Sequence, residues 1–84
     1  MANVVIYSSA HCSYCERAKQ LLDRKKQVYT EIRIDLDPAQ RSIMQERTGR
    51  RTVPQIFIND NPIGGCDDLY ALDQSGQLND LLAH

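Results

Sequence analysis

Between Val4 and Asp35 the chain changes its hydrophobic period twice, and few folds accommodate that change. Val4-Val5-Ile6-Tyr7 is a short, unbroken apolar run, the pattern of a central strand covered on both faces. After His11-Cys12-Ser13-Tyr14-Cys15, the residues Ala18, Leu21 and Leu22 recur at helical spacing while Arg17, Lys19, Asp23 and Arg24 face water. This predicts a helix over Ser13 to Lys26. Ser13 and Glu16 stand at capping-box spacing and are expected to pin its start. From Val28 the period is two: Val28, Thr30, Ile32 and Ile34 alternate with Tyr29, Glu31, Arg33 and Asp35, a strand with one buried and one wet face. Strand, helix and strand over this length imply a right-handed crossover and a parallel pair.

The second half adds a helix, a hairpin and further helices. Asp37-Pro38 opens a helix, with Asp37 as cap and Pro38 in the first turn, and Gly49 is suited to close it. Its apolar stripe, Ile43 and Met44, is thin, so it is expected on the outside. Arg47, Arg50 and Arg51 cluster at its end, as an anion site or as a solvated surface. Val53 to Ile58 reads as a strand, but Pro54 cannot donate to a ladder. That strand is therefore an edge at Pro54, or it enters the sheet after it. Asn59-Asp60-Asn61-Pro62 is a turn, and Ile63-Gly64 a brief antiparallel partner. Gly64-Gly65-Cys66-Asp67-Asp68 opens a helix ended by Gly76, and Leu78, Leu81 and Leu82 predict a last short one. The order β-α-β-α-β-β-α predicts an α/β fold with a four-stranded mixed sheet and helices on both faces.

The 84 residues are expected to form one domain, 1–84. A net charge of −1 excludes the general electrostatic pull of a nucleic-acid or anionic-membrane binder. No apolar run approaches the roughly 20 residues of a membrane span, and Met1-Ala2-Asn3 leads straight into a strand, so no leader is expected. Three cysteines are an odd number with two in a CxxC pair, which argues against a secreted disulfide framework. A thiol cycling in a reducing compartment, the cytoplasm, is the expectation.

The CxxC sits at the strand-to-helix turn. A helix start presents unpaired N–H groups and partial positive charge, which favour a thiolate. Cys12 is expected to have a lowered pKa and to act as nucleophile, with Cys15 close enough to form a disulfide. Two buried structural thiols, or half of a metal site, would use the same spacing.

Three motifs together, Cys12-Ser13-Tyr14-Cys15, Thr52-Val53-Pro54 and Gly64-Gly65-Cys66-Asp67-Asp68, resemble those of the glutaredoxins of the thioredoxin superfamily. The chain is most similar to the small bacterial glutaredoxin 3 type. A thioredoxin would be longer and carry Trp beside a Gly-Pro pair; this chain has no Trp. The resemblance implies a thioredoxin-like fold and glutathione-dependent reduction of protein disulfides and protein–glutathione mixed disulfides. In it Cys12 attacks and Cys15 resolves. The Val53–Pro54 bond would be cis, turning the Val53 backbone toward an extended tripeptide. Gly65 would permit close approach, and the Cys66 and Asp67 amides would meet the γ-glutamyl carboxylate while Asp67 or Asp68 meets its ammonium. Tyr14 would lie beside the reacting sulfur, with Thr52 next to Val53, and Arg41 and Arg51 near the glycyl carboxylate. Glutathione is then a co-substrate, and the partners are disulfide-containing or glutathionylated proteins met by a monomer.

The chain departs from the family pattern in three places. Ser13 replaces the usual proline after the first cysteine and frees a backbone N–H near the sulfur. No lysine stands at Ser8 or Ser9, where family members commonly carry one. His11 precedes the nucleophile, and its imidazolium could supply part of that charge below about pH 6.5. Because some glutaredoxins without the proline hold clusters, the resemblance also admits a [2Fe–2S] carrier. That cluster would be ligated by Cys12 of two chains and by two glutathione thiols.

Overall fold

A computed structural model describes residues 2–83. Eight elements follow in order: β1 Val4–Ser8, α1 Ser13–Arg24, β2 Thr30–Arg33, α2 Pro38–Thr48, β3 Gln55–Ile58, β4 Asn61–Gly64, α3 Cys66–Gln74 and α4 Gln77–Leu82. The sheet order is β2-β1-β3-β4. β1 pairs parallel with β2, Val5 opposite Thr30, and antiparallel with β3, Val5 opposite Phe57; β3 and β4 form an antiparallel hairpin. This is the mixed four-stranded α/β sheet expected.

Alternation along the central strands splits the core into two layers. Val4 and Ile6 of β1, with Ile56 and Ile58 of β3, point to the face covered by Ala18, Leu21 and Leu22 of α1, Leu69 of α3 and Leu78 of α4. Tyr7 and Phe57 point the other way, onto Ile34 and Met44. Removing this much apolar surface from water is the main stabilising term. Met44 is the buried residue of α2, and Ile43 remains 41% exposed, so this helix does lie on the outside.

The termini of α2 form as the sequence predicts. The Asp37 carboxylate accepts the Ala39 N–H at 3.3 Å, and Gly49 closes the helix at φ 73°, a conformation that costs a glycine little. Between β3 and β4, Asn59 and Asp60 both take positive φ, the geometry of a tight hairpin turn. Asn61 and Pro62 fall within β4 rather than in the turn, and Pro62 is tolerated because β4 is an edge.

Three expectations fail, each for a local reason. The cap of α1 is Cys12, whose sulfur accepts the Cys15 N–H at 3.2 Å; Ser13 is already the first helical residue, and Glu16 pairs with Lys19 at 2.8 Å. No capping box therefore forms there. β2 is shorter than its alternating pattern, because the edge position leaves Val28 75% exposed. The side expected to be wet is partly covered: Tyr29 packs on the α1 layer, and Glu31 accepts from Ser8. Pro54 precedes β3, and β3 lies inside the sheet, so of the two readings of Pro54 the strand enters after it.

Candidate functional site

The parallel β1–β2 pair and the antiparallel β1–β3 pair bring three chain segments to one end of the sheet: the β1–α1 turn, the segment before β3, and the start of α3. There Tyr14, Thr52, Val53, Pro54, Gly65, Cys66, Asp67 and Asp68 line a cleft of about 280 Å³. All three sequence motifs meet in it. Val53–Pro54 is cis, and the Val53 carbonyl lies 3.9 Å from the Cys12 sulfur, close enough to accept its S–H.

Cys12 is half-buried at the positive end of α1, and Cys15 is fully buried one turn on. Both thiols are free, and the Cys15 N–H donates to the Cys12 sulfur at 3.2 Å. Burial pushes the Cys15 thiol up to about 12, reinforced by its hydrogen bond to Cys12, while a Ser9 backbone N–H and the charge of Lys19 act in the opposite direction. At neutral pH Cys15 therefore holds its proton and presents it to the Cys12 sulfur. The N–H donor at that sulfur belongs to Cys15, not to Ser13 as the missing proline would suggest.

The start of α3 divides its two acids between different tasks. The Asp68 carboxylate accepts the Gly65 N–H at 3.0 Å and pairs with Arg50 at 3.2 Å. Asp67 is exposed in the cleft wall. The Cys66 and Asp67 amides open the helix, where no intrahelical acceptor exists for them. Gly64 has φ 117°, and a Cβ there would run into the Asp68 carboxylate; a Cβ on Gly65 would meet the Pro54 carbonyl at 3.3 Å. Gly64 is thus favoured by its positive φ as well as by the Asp68 contact, while a side chain at Gly65 would need the Pro54 carbonyl to give by a few tenths of an ångström. Cys66 is buried, which pushes its thiol up, with Arg17 opposing and Asp67 adding to the shift.

The arginines at the end of α2, open between an anion site and a solvated surface, are exposed and engaged separately. Arg47 stacks on Phe57, its guanidinium 4.0 Å from the ring centroid, and bonds to the Tyr7 hydroxyl at 3.2 Å. Arg50 is committed to Asp68. Arg41 and Arg51 are exposed and do not line the cleft. His11 is exposed at φ 57° in the turn before Cys12.

A network under the site escaped the sequence reading. Buried Ser8 donates to Glu31 at 2.6 Å, and Lys19 bridges Glu31 at 3.0 Å and Glu16 at 2.8 Å. It holds Glu31 below the usual carboxylate range, through the Ser8 bond first and Lys19 second. The only signal for it was an alternating strand with charges at three of its four wet positions, Glu31, Arg33 and Asp35.

A family model described as Glutaredoxin matches residues 4–63. Glutaredoxin 3 of Escherichia coli strain K12 is 56% identical over 82 residues, covering 98% of this chain and 99% of that protein. The chain belongs to the glutaredoxin family. A glutaredoxin of Pseudomonas aeruginosa is 49% identical over 83 residues, covering 99% of each chain. Among solved structures, a buckwheat glutaredoxin–glutathione complex superposes with TM-score 0.91 at 34% identity, covering 98% of this chain and 77% of that one. The solution structure of glutaredoxin from Brucella melitensis gives 0.86 at 52%, covering 98% and 89%. Family and fold together make the chain a thiol–disulfide oxidoreductase, with a close Cys12–Cys15 pair at the cleft. No helix among the described residues is long and apolar enough to cross a membrane.

Proposed function

We propose that the chain is a glutathione-dependent oxidoreductase that reduces protein disulfides and protein–glutathione mixed disulfides in the cytoplasm. The observation that carries this reading is the Cys12 sulfur capping α1, with the Cys15 N–H at 3.2 Å and the Val53 carbonyl beside it, at the cleft that the Cys66 and Asp67 amides close.

In the one-thiol route the Cys12 thiolate attacks the glutathione sulfur of a mixed disulfide. The substrate S–S bond breaks, a Cys12–glutathione disulfide forms, and the target leaves as a thiolate that takes a proton from water. A second glutathione thiolate then attacks the glutathione sulfur of that disulfide, releasing glutathione disulfide and restoring Cys12. With a protein disulfide, Cys12 attacks one sulfur, the target S–S bond breaks and its other sulfur leaves as a thiolate protonated by water. Cys15 then attacks the Cys12 sulfur, the Cys12–target disulfide breaks, and the proton that Cys15 gives up goes to the departing target thiolate. The Cys12–Cys15 disulfide then receives two electrons from two glutathiones, which depart as glutathione disulfide.

Glutathione fits the cleft as an extended tripeptide paired with the Val53 backbone, alongside Tyr14, Thr52, Pro54 and Gly65. Its γ-glutamyl carboxylate meets the Cys66 and Asp67 amides. Its ammonium meets Asp67, since Asp68 is already shared between Gly65 and Arg50. Arg41 and Arg51 supply charge for the glycyl carboxylate from outside the cleft wall. Turnover of a small mixed disulfide with glutathione, compared with turnover by thioredoxin reductase, tests the reading. Reduction through thioredoxin reductase with no response to glutathione would overturn it.

A [2Fe–2S] carrier would have to use Cys12, since Cys15 and Cys66 are 0% and 4% exposed. Anaerobic reconstitution with iron, sulfide and glutathione distinguishes the two: a coloured dimer supports the carrier, a colourless monomer the oxidoreductase alone.

A further inference from the structure

The face of α1 that leads away from the cleft carries Tyr14, Arg17 and Arg24, all exposed. Tyr70 of α3 closes against it. The Arg17 guanidinium carbon lies 6.0 Å from the Tyr14 ring centroid and 5.8 Å from that of Tyr70. The Tyr70 hydroxyl accepts from Arg24 at 3.2 Å and donates to the Arg17 carbonyl at 3.2 Å. The four side chains form one ridge that starts on the cleft's rim.

The charges on this ridge are held by aromatic side chains, as Arg47 is by Phe57 and Tyr7. Lys19, Lys25, Arg33, Arg47 and Arg50 each pair with a carboxylate. Arg17 and Arg24 have no carboxylate partner among the described residues and are ordered by tyrosines instead. A guanidinium resting beside a ring keeps its hydrogen-bonding edge free, and it is partly ordered before a partner arrives. With a net charge of −1, this is a local positive ridge and not a property of the whole surface.

Arg17 and Arg24 are seven residues apart, about 10 Å along a helix axis. An extended chain covers that distance in roughly three residues. Arg17 is five residues from Cys12, about 8 Å, or roughly two to three residues of extended chain. Across the cleft, Asp67 and Asp68 repel acidic side chains, so a segment with carboxylates is steered to the α1 side.

We propose that the Tyr14–Arg17–Tyr70–Arg24 ridge is a docking surface for the protein partner, selecting an extended segment with carboxylates about two and five residues from its reactive cysteine. The proposal rests on the oxidoreductase reading of Cys12 for its turnover consequences, but not for binding itself.

The test uses glutathionylated peptides that carry Glu, Gln or Lys at those two positions, with matched peptides in which serine replaces the cysteine. Wild type should favour the Glu peptide over the Gln peptide by about three- to tenfold in kcat/KM, through KM, at low salt. The advantage should shrink in roughly 0.5 M salt. Arg17→Gln/Arg24→Gln should abolish it while glutathionyl-cysteine turnover matches wild type. Arg24→Gln alone should lose part of it, which guards against a misfolded double variant. Fluorescence anisotropy of the serine peptides should give the same ranking without any redox step. If glutathionyl-cysteine is not turned over, the Cys12 reading fails, and the anisotropy ranking still decides the docking. No Glu preference in wild type, or one that survives the double variant, overturns the proposal. So does binding of a single-stranded oligonucleotide that the double variant loses, with no peptide ranking, which would assign the ridge to nucleic acid.

Discussion

A sulfur that caps a helix sits where the unpaired amides converge, and Cys12 holds that place while Cys15 is sealed beneath it. Serine is itself a strong N-cap, so Cys12→Ser should leave α1 intact and remove all oxidoreductase turnover. Cys15→Ser should keep turnover of glutathione mixed disulfides and lose most reduction of protein disulfides. Steady-state assays with both substrates check the pair; loss of mixed-disulfide turnover only in Cys15→Ser would reverse the roles. Cys66 is buried beside Asp67 with its side chain in the core layer, and the proposed carboxylate contact uses its amide. Cys66→Ser should change kcat/KM less than about tenfold, under ~1.4 kcal/mol of transition-state stabilisation. An inactive, folded variant would refute that assignment.

The elements differ in how they are anchored. Helix α2 buries a single side chain, Met44, against Tyr7, Ile34 and Phe57. Met44→Ala should therefore cost about 2–5 kcal/mol, while Ile43→Ala, one residue away and 41% exposed, should cost under ~1 kcal/mol. Denaturant unfolding measures both, and equal losses would show that α2 is held by its outer face. The edge strand β2 is secured by side chains as well as by its ladder. Glu31→Ala strands the buried Ser8 hydroxyl and leaves Lys19 paired with Glu16 alone, an expected loss of about 1–3 kcal/mol by the same measurement.

Across the whole molecule, two buried thiols, one partly buried phenol and the paired Lys19 ammonium all contribute stability that is lost as pH rises. Burial raises Cys15 to about 12 from 9.0, and it raises Cys66 and Tyr29 in the same direction. For Cys15, between pH 9 and 12 the folded state holds a proton that the unfolded chain has lost, so stability falls as pH rises through that window. Below it the contribution is complete. Glu31 works in the opposite direction: its folded carboxyl titrates below the usual range, so its contribution is present above the unfolded value and is lost as acid protonates it. Thermal melts across pH should show the alkaline decline, and Cys15→Ala should flatten it. An unchanged slope would place the decline elsewhere.

Period, punctuation and spacing in the sequence determined the element order, the termini of α2, the hairpin and the three motifs, because each depends on residues within a turn or two of one another. The pairing of Asp68 with Arg50, the Ser8–Glu31–Lys19 network, the stacking of Arg17 between two tyrosines, and the division of labour between Asp67 and Asp68 were decided by the tertiary structure. The N-cap shows the boundary between them most plainly. Ser13 has the better local signal for a cap, yet the turn out of β1 puts Cys12 there instead. Local rules rank candidate caps by side chain; where the chain leaves the sheet decides which residue meets the free amides, and that depends on strands distant in sequence.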